Sequence, residues 1–272
     1  NSKQQTANSK QQTANSKQQT ANSKQQTANS KQQTANSKQY YVPLIIINTI
    51  TLIFLILISF HYDVPRKIVL KISGNYPEAY THYEIKNRLF AEYSEKIDKI
   101  VMFGDSITEG VAWNELLGIS GIANRGIGGD ITEGFLNRLS DIYKLNPEMC
   151  FIMGGINDIR KGIPLETIIR NMERIISALE GHGIKVIIQS TLYVAKNYDK
   201  WKEINSKVKE LNTWLERYCE ERGIIYIDIN RALADADALR KEYTYDGVHL
   251  LGSGYKIWGK MIMTIIEDEE KE

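Results

Sequence analysis

Short apolar runs alternate with longer amphipathic ones through the later part of this chain. Ile100 to Gly104 is almost wholly apolar, which suits a strand buried on both faces of a parallel sheet. Similar runs follow at Ile122 to Asn124, Met149 to Gly154, Ile184 to Ser190 and Ile224 to Ile229, and each predicts a strand. Between them the apolar positions fall at helical spacing. Helices are predicted over Ile131 to Leu145, Pro164 to Leu179, about Tyr198 to Arg222, and Gly254 to Ile266. The third carries Trp201, Ile204, Val208, Leu211, Trp214 and Leu215 on one stripe, which reads as a core-facing surface. Five strands alternating with helices imply right-handed crossovers and a parallel sheet, so the expected fold is α/β, a three-layer α/β/α sandwich.

The earlier part of the chain follows different rules. Residues 1–39 repeat NSKQQTA five times and begin a sixth copy, with only Ala and Thr to form a seam. Such a pattern buries too little surface for a coiled coil, so a disordered tail is expected. Reading AACAGCA three times in succession yields one copy of the repeat, which points to an expanded DNA repeat carried through translation. Val42 to Phe60 then runs nineteen residues without a charge. At about 1.5 Å per residue that spans a hydrocarbon core of about 30 Å, and aromatic residues stand at both ends, so residues 40–62 are read as a single transmembrane anchor. A cleaved signal peptide is the competing reading, but no A-x-A-like site follows. Lysines flank both ends of the span, and the cationic tail favours an internal N-terminus with the folded domain outside the cytoplasm. Residues 63–98 are read as a linker and a helix whose Tyr83, Leu89, Phe90 and Tyr93 pack on the domain, which occupies 99–268.

Charge narrows the function. The whole chain is near neutral, at +1 over 272 residues, but beyond residue 67 there are 26 basic and 32 acidic residues. A domain of that balance lacks the basic surface that nucleic acids require. Cys150 and Cys219 both sit in apolar or helical runs and read as buried small hydrophobes, not as a disulfide framework.

The candidate chemistry starts at KIVMFGDSITEG, residues 99–110, where Ser106 follows directly on the first strand. The residue two after Ser106 is Thr108, so the G-x-S-x-G elbow is absent. A serine nucleophile needs a base, a group to orient that base, and donors for the oxyanion. Of the four histidines, His61 borders the apolar run, His82 lies in the helix before the domain and His182 sits between two glycines. His249 remains, three residues after Asp246 in one loop, so the carboxylate can hold Nδ1 while Nε2 faces Ser106. Two glycine-rich strand ends, NRGIGGD at 124–130 and MGGIND at 153–158, supply Gly129 and Asn157 as oxyanion donors. Asp105, Asp130 and Asp158 adjoin these residues and read as turn and strand-end hydrogen-bonding groups, not general acids. No HExxH or clustered Cys/His set is present, so neither metal nor cofactor is expected.

These four blocks resemble those of the SGNH, or GDSL, hydrolase family, in the order GDSIT, GGD, GIND and DGVH. The resemblance covers roughly Tyr83 to Ile266. It implies Ser106 as nucleophile, Asp246 and His249 as its partners, and an oxyanion hole of the Ser106 and Gly129 N–H groups with the Asn157 amide. It also implies a flavodoxin-like strand order, 2-1-3-4-5. The stretches HYEIKNRLF and AWNELL are similar to those of bacterial carbohydrate O-acetylesterases and lipases. The implied activity is therefore hydrolysis of a small-molecule or glycan ester, acetyl or short acyl from carbohydrate. A lipid acyl hydrolase and a non-catalytic glycan-binding domain are the alternatives.

Overall fold

The computed structural model describes residues 22–27, 29–32, 81–92 and 99–271. The chain divides into two units, residues 1–79 and 80–272. In the first, residues 22–27 and 29–32 are helical where a tail without structure was expected, and every one of them is exposed, so these turns build no core. The predicted anchor at 42–60 lies outside the described residues. No helix among the described residues is long and apolar enough to cross a membrane.

The second unit opens with α1 (His82–Glu92). Then β1 (Ile100–Gly104), α2 (Ser106–Glu109), α3 (Trp113–Leu117) and β2 (Ile122–Gly126) follow. Next come α4 (Thr132–Asn137), α5 (Leu139–Leu145), β3 (Met149–Met153), α6 (Ile156–Arg160), α7 (Leu165–Glu180) and β4 (Lys185–Gln189). The chain closes with α8 (Trp201–Arg222), β5 (Ile225–Ile227), α9 (Asn230–Leu233), a two-strand hairpin of β6 (Ala234–Asp235) and β7 (Ala238–Leu239), and α10 (Gly252–Glu269). The five-stranded sheet is parallel, in the order β2-β1-β3-β4-β5. That is the predicted α/β architecture and order. β1 and β3, the sheet's centre, are buried at every position, as their unbroken apolar runs require.

Register decides where the site forms. Gly104 pairs with Gly126 on one side and with Met153 on the other, so the carboxyl ends of β1, β2 and β3 stop level. The connection after β1 leads to one neighbour and that after β2 to the other, and this reversal opens a crevice at the strand ends. Gly126 is required there by close approach: a Cβ would sit 2.3 Å from the Glu109 nitrogen.

Several boundaries differ from the sequence reading. The helix expected over 131–145 is broken at Arg138, whose φ of −121° and ψ of 18° end α4 and start α5. Burial of that side chain, described below, accounts for the break. β5 is three residues instead of six, because the Ser190 hydroxyl takes the Ile229 N–H and turns the chain out of the sheet. α8 starts at Trp201, after Lys200 adopts a left-handed conformation, and not at Tyr198. In α1 Phe90 is buried, beneath the Arg125 guanidinium at 4.6 Å, and Tyr83 is half-buried. Leu89 is not part of that face: it is 37 % exposed. Tyr93 lies outside the described residues. Cys150 and Cys219 are buried and unpaired, and burial pushes both thiols up.

Candidate active site

Ser106 stands one residue beyond the turn that leaves β1. Asp105 caps the short helix α2, its Oδ1 accepting from the Ile107 N–H at 2.9 Å. Two further bonds hold this turn: the Trp113 indole donates to the Thr108 carbonyl at 2.9 Å and the Tyr255 hydroxyl to the Ile107 carbonyl at 2.7 Å. Tyr255 belongs to α10, the helix that follows His249, so the two ends of the site are fastened across 148 residues.

His249 and Asp246 lie in a tight loop. The Asp246 Oδ1 accepts from the backbone N–H groups of Val248 and His249, at 2.9 and 2.8 Å, and Oδ2 meets His249 Nδ1 at 2.6 Å. Nε2 of the same ring lies 2.9 Å from Ser106 Oγ. Burial opposes ionisation of Asp246, but the bonds from the His249 ring and the two backbone N–H groups outweigh it and hold its carboxyl below the usual range. The result is one hydrogen-bonded chain from a carboxylate through an imidazole to a hydroxyl. Tyr245, 67 % exposed, stacks on the outer face of His249 with ring centroids 5.8 Å apart.

Gly129 and Asn157 meet at Asp130. The Asn157 amide donates to the Asp130 carbonyl at 3.0 Å and lies 3.4 Å from Asp105 Oδ2, next to Ser106. Arg160 donates to the Asn157 Oδ1 at 3.3 Å, which settles which end of the amide faces the loop. Gly155, with φ of +103°, starts α6 and aims Asn157 inward, a conformation that favours glycine. The space beside the Gly129 Cα is open, and its carbonyl accepts from Lys161 Nζ at 3.2 Å. All five predicted site residues therefore gather at the carboxyl edge of the sheet.

The neighbouring aspartates hold structure. Asp158 accepts from the Thr132 N–H and, at 2.6 Å, from its hydroxyl. Asp130 pairs with Arg138 at 2.8 Å. Arg138, unnoticed in the sequence, is 2 % exposed and donates as well to the carbonyls of Arg125 and Gly104, at 2.8 and 2.9 Å. It thus ties the ends of β1 and β2 to the glycine loop, while its guanidinium packs over the rings of Phe103 and Phe135. The signal available was one arginine inside an apolar helical run. Among the described residues no group of three or more His, Cys, Asp or Glu side chains is placed to hold a metal ion.

Asp105 carries the largest carboxylate displacement. Burial pushes its carboxyl up to about 7, the charges of Asp130 and Asp158 add to this, and the Ile107 N–H and His249 oppose it. The folded protein therefore keeps a proton that the unfolded chain releases near its ordinary value of 3.8. Stability from this group is complete at low pH and falls as pH rises from about 4 to 7, at roughly 1.4 kcal/mol per pKa unit. Asp130 and Asp158, also raised by burial, add to the same slope. Urea midpoints for Asp105→Asn are expected to vary less between pH 4.5 and 7.5 than those of the wild type; an unchanged slope would count against the assignment.

Residues 102–257, more than half of the chain, match the description of the GDSL-like Lipase/Acylhydrolase family. The chain belongs to that family. An N-acylneuraminate cytidylyltransferase of Streptococcus agalactiae serotype III is 25 % identical over 223 residues, 76 % of this chain and 51 % of that protein. The chain thus spans about half the length of this relative. An isoamyl acetate-hydrolyzing esterase of Saccharomyces cerevisiae is 27 % identical over 208 residues, 62 % of this chain and 86 % of that one. Among solved structures, a GDSL-like lipase from Bacteroides thetaiotaomicron superimposes with a TM-score of 0.62 at 27 % identity, covering 69 % of this chain and 98 % of that protein. The GDSL match starts inside β1 and ends within α10, so it encloses every residue of the candidate site.

Proposed function

We propose that this GDSL-family domain hydrolyses carboxylic esters through an acyl-enzyme on Ser106. The observation that carries the proposal is the unbroken chain from Asp246 through His249 to Ser106, at 2.6 and 2.9 Å. Ser106 Oγ attacks the ester carbonyl carbon as His249 Nε2 takes its proton. The carbonyl oxygen becomes an oxyanion, held by the N–H groups of Ser106 and Gly129 and the Asn157 amide. Collapse breaks the bond to the alcohol, which leaves with the proton from His249. Water then attacks the acyl carbon, giving its proton to the same nitrogen, and the carboxylic acid departs as Ser106 recovers its hydrogen. Asp246 keeps the proton on Nδ1, so that Nε2 is the basic nitrogen, and stabilises the imidazolium.

The substrate we propose is a carbohydrate bearing acetyl or another short acyl group. Two relatives support it by name: one acts on a short acetate ester and the other on an N-acylated sugar acid. Asn157, Lys161 and Arg160 give the oxyanion side of the site a polar rim. The competing substrate, a lipid acyl ester, draws on the uncharged run at 42–60, which we propose anchors the protein with the catalytic domain outside the cytoplasm. A series of p-nitrophenyl esters of increasing acyl length separates the two. The expected result is a sharp maximum at acetyl; activity that climbs to long chains would transfer the assignment to lipid. Fluorophosphonate labelling of Ser106 addresses the third reading, because a glycan-binding domain without catalysis has no activated serine.

A further inference from the structure

Gly129 lies in a loop that needs holding. An oxyanion donor contributes only if its N–H is already aimed where charge will develop, and a run of two glycines has no side chains to fix it. The carbonyl of Gly129 is anchored by Lys161. On the other side, the N–H of Gly128 donates to Glu109 Oε2 at 2.7 Å. Glu109 is the last residue of α2, three beyond Ser106, so its carboxylate spans from the serine turn to the glycine loop.

That carboxylate is itself gripped. Lys86 Nζ lies 2.8 Å from Oε1, and His82 Nε2 lies 2.9 Å from both oxygens. Both side chains come from α1, ahead of the four motif blocks in sequence and one turn apart on one face. Tyr83 of the same helix donates to the Gly134 carbonyl at 3.3 Å, and Phe90 is buried, so α1 is packed in place by contacts independent of Glu109. The fit is close: a Cβ on Gly128 would stand 3.2 Å from Glu109 Oε2 and 3.3 Å from His82 Cδ2. Burial opposes ionisation of Glu109, but its contacts with Lys86 and His82 outweigh it and hold the carboxyl below the usual range. Asn124 completes the frame. Its amide donates to the carbonyls of Thr108, Glu109 and Val111, and its Oδ1 accepts from the Gly126 N–H, so the backbone of both segments is fixed and only the glycine loop depends on Glu109.

We propose that Glu109 is a positioning residue for the oxyanion hole, and that α1, through His82 and Lys86, is the part of the chain that sets it. The inference rests on the acyl-enzyme reading above. It makes α1, the helix between the uncharged run and the first strand, a working part of the site and not a spacer.

The test uses the full chain and p-nitrophenyl acetate. Glu109→Ala frees the Gly128 N–H, and kcat is expected to fall about tenfold or more while KM stays within about threefold, since the loss belongs to the transition state. Glu109→Gln keeps an acceptor for that N–H, and its kcat is expected to lie within about threefold of wild type. The double variant His82→Gln/Lys86→Met, which leaves Glu109 in place, is expected to lose kcat by an intermediate factor at unchanged KM, and it carries the test if Glu109→Ala does not fold. A kcat within about twofold of wild type in both Glu109→Ala and the double variant overturns the proposal, as do equal losses in Glu109→Ala and Glu109→Gln, which would place the effect in the charge pair. Ser106→Ala in the same series keeps the two levels apart: retained activity there removes the nucleophile and this inference with it, whereas an inactive Ser106→Ala beside an unimpaired Glu109→Ala removes the positioning role alone.

Discussion

Ser106→Ala is expected to lower kcat on a short p-nitrophenyl ester by roughly a thousandfold or more, and to abolish labelling by a fluorophosphonate, without changing the melting temperature appreciably. The size follows from chemistry: without Oγ no acyl-enzyme forms, and the oxyanion donors can only assist direct attack by water. The preserved fold follows from geometry. The Ser106 hydroxyl is bonded to His249 Nε2, while α2 is held by Asp105, Trp113 and Tyr255 through other atoms. Asn157→Ala is the informative companion. Loss of one oxyanion donor typically costs about 100- to 1,000-fold in kcat, and here the same change also leaves the Asp130 carbonyl without its 3.0 Å partner. Its activity is therefore expected to fall strongly with some loss of stability. Near wild-type turnover in Ser106→Ala would sink the acyl-enzyme assignment outright.

The largest stability effect is expected from Arg138→Met. The guanidinium and the Asp130 carboxylate are each 2 % exposed, and Arg138 carries three bonds that meet at the strand ends. Burial pushes the Asp130 carboxyl up and the Arg138 guanidinium down, and the contact between them opposes both displacements. Removing one partner of such a pair costs about 3–5 kcal/mol, because the other charge stays buried without compensation. In a domain of this size that lowers the melting temperature by on the order of 10 °C. The double variant Asp130→Asn/Arg138→Met is expected to recover part of the loss, since no uncompensated charge then remains. A loss below about 1 kcal/mol in the single variant would mean that water reaches the pair and that the glycine loop does not depend on it.

Much of this was legible from residue order. The unbroken apolar runs at Ile100–Gly104 and Met149–Met153 announced central strands because a parallel sheet covered on both faces excludes polar residues from both. Four short blocks also announced the serine, glycine and asparagine, which lie just beyond the ends of β1, β2 and β3, and the aspartate and histidine, which stand three residues apart in one loop ahead of α10. Boundaries were less legible wherever a side chain overrode the local pattern. Arg138 breaks a helix that its neighbours' spacing favours, and Ser190 ends β5 early from a distance of 39 residues. Leu89 looked like a core residue at helical spacing, yet α1 turns Phe90 and Tyr83 inward and leaves Leu89 outside.

Residue order alone thus determined the α/β layers and the identity of the residues that meet at the sheet edge, because burial patterns and loop chemistry are local properties of a chain, whereas the strand order was implied only by the family resemblance and is shown by the sheet itself. Only the tertiary structure decided that Nε2 of His249 reaches Ser106 across 143 residues, that Arg138 lies under the glycine loop, and that α1 grips Glu109. Those relations are set by register between strands and by which side chains find buried partners, and both depend on all three layers closing together.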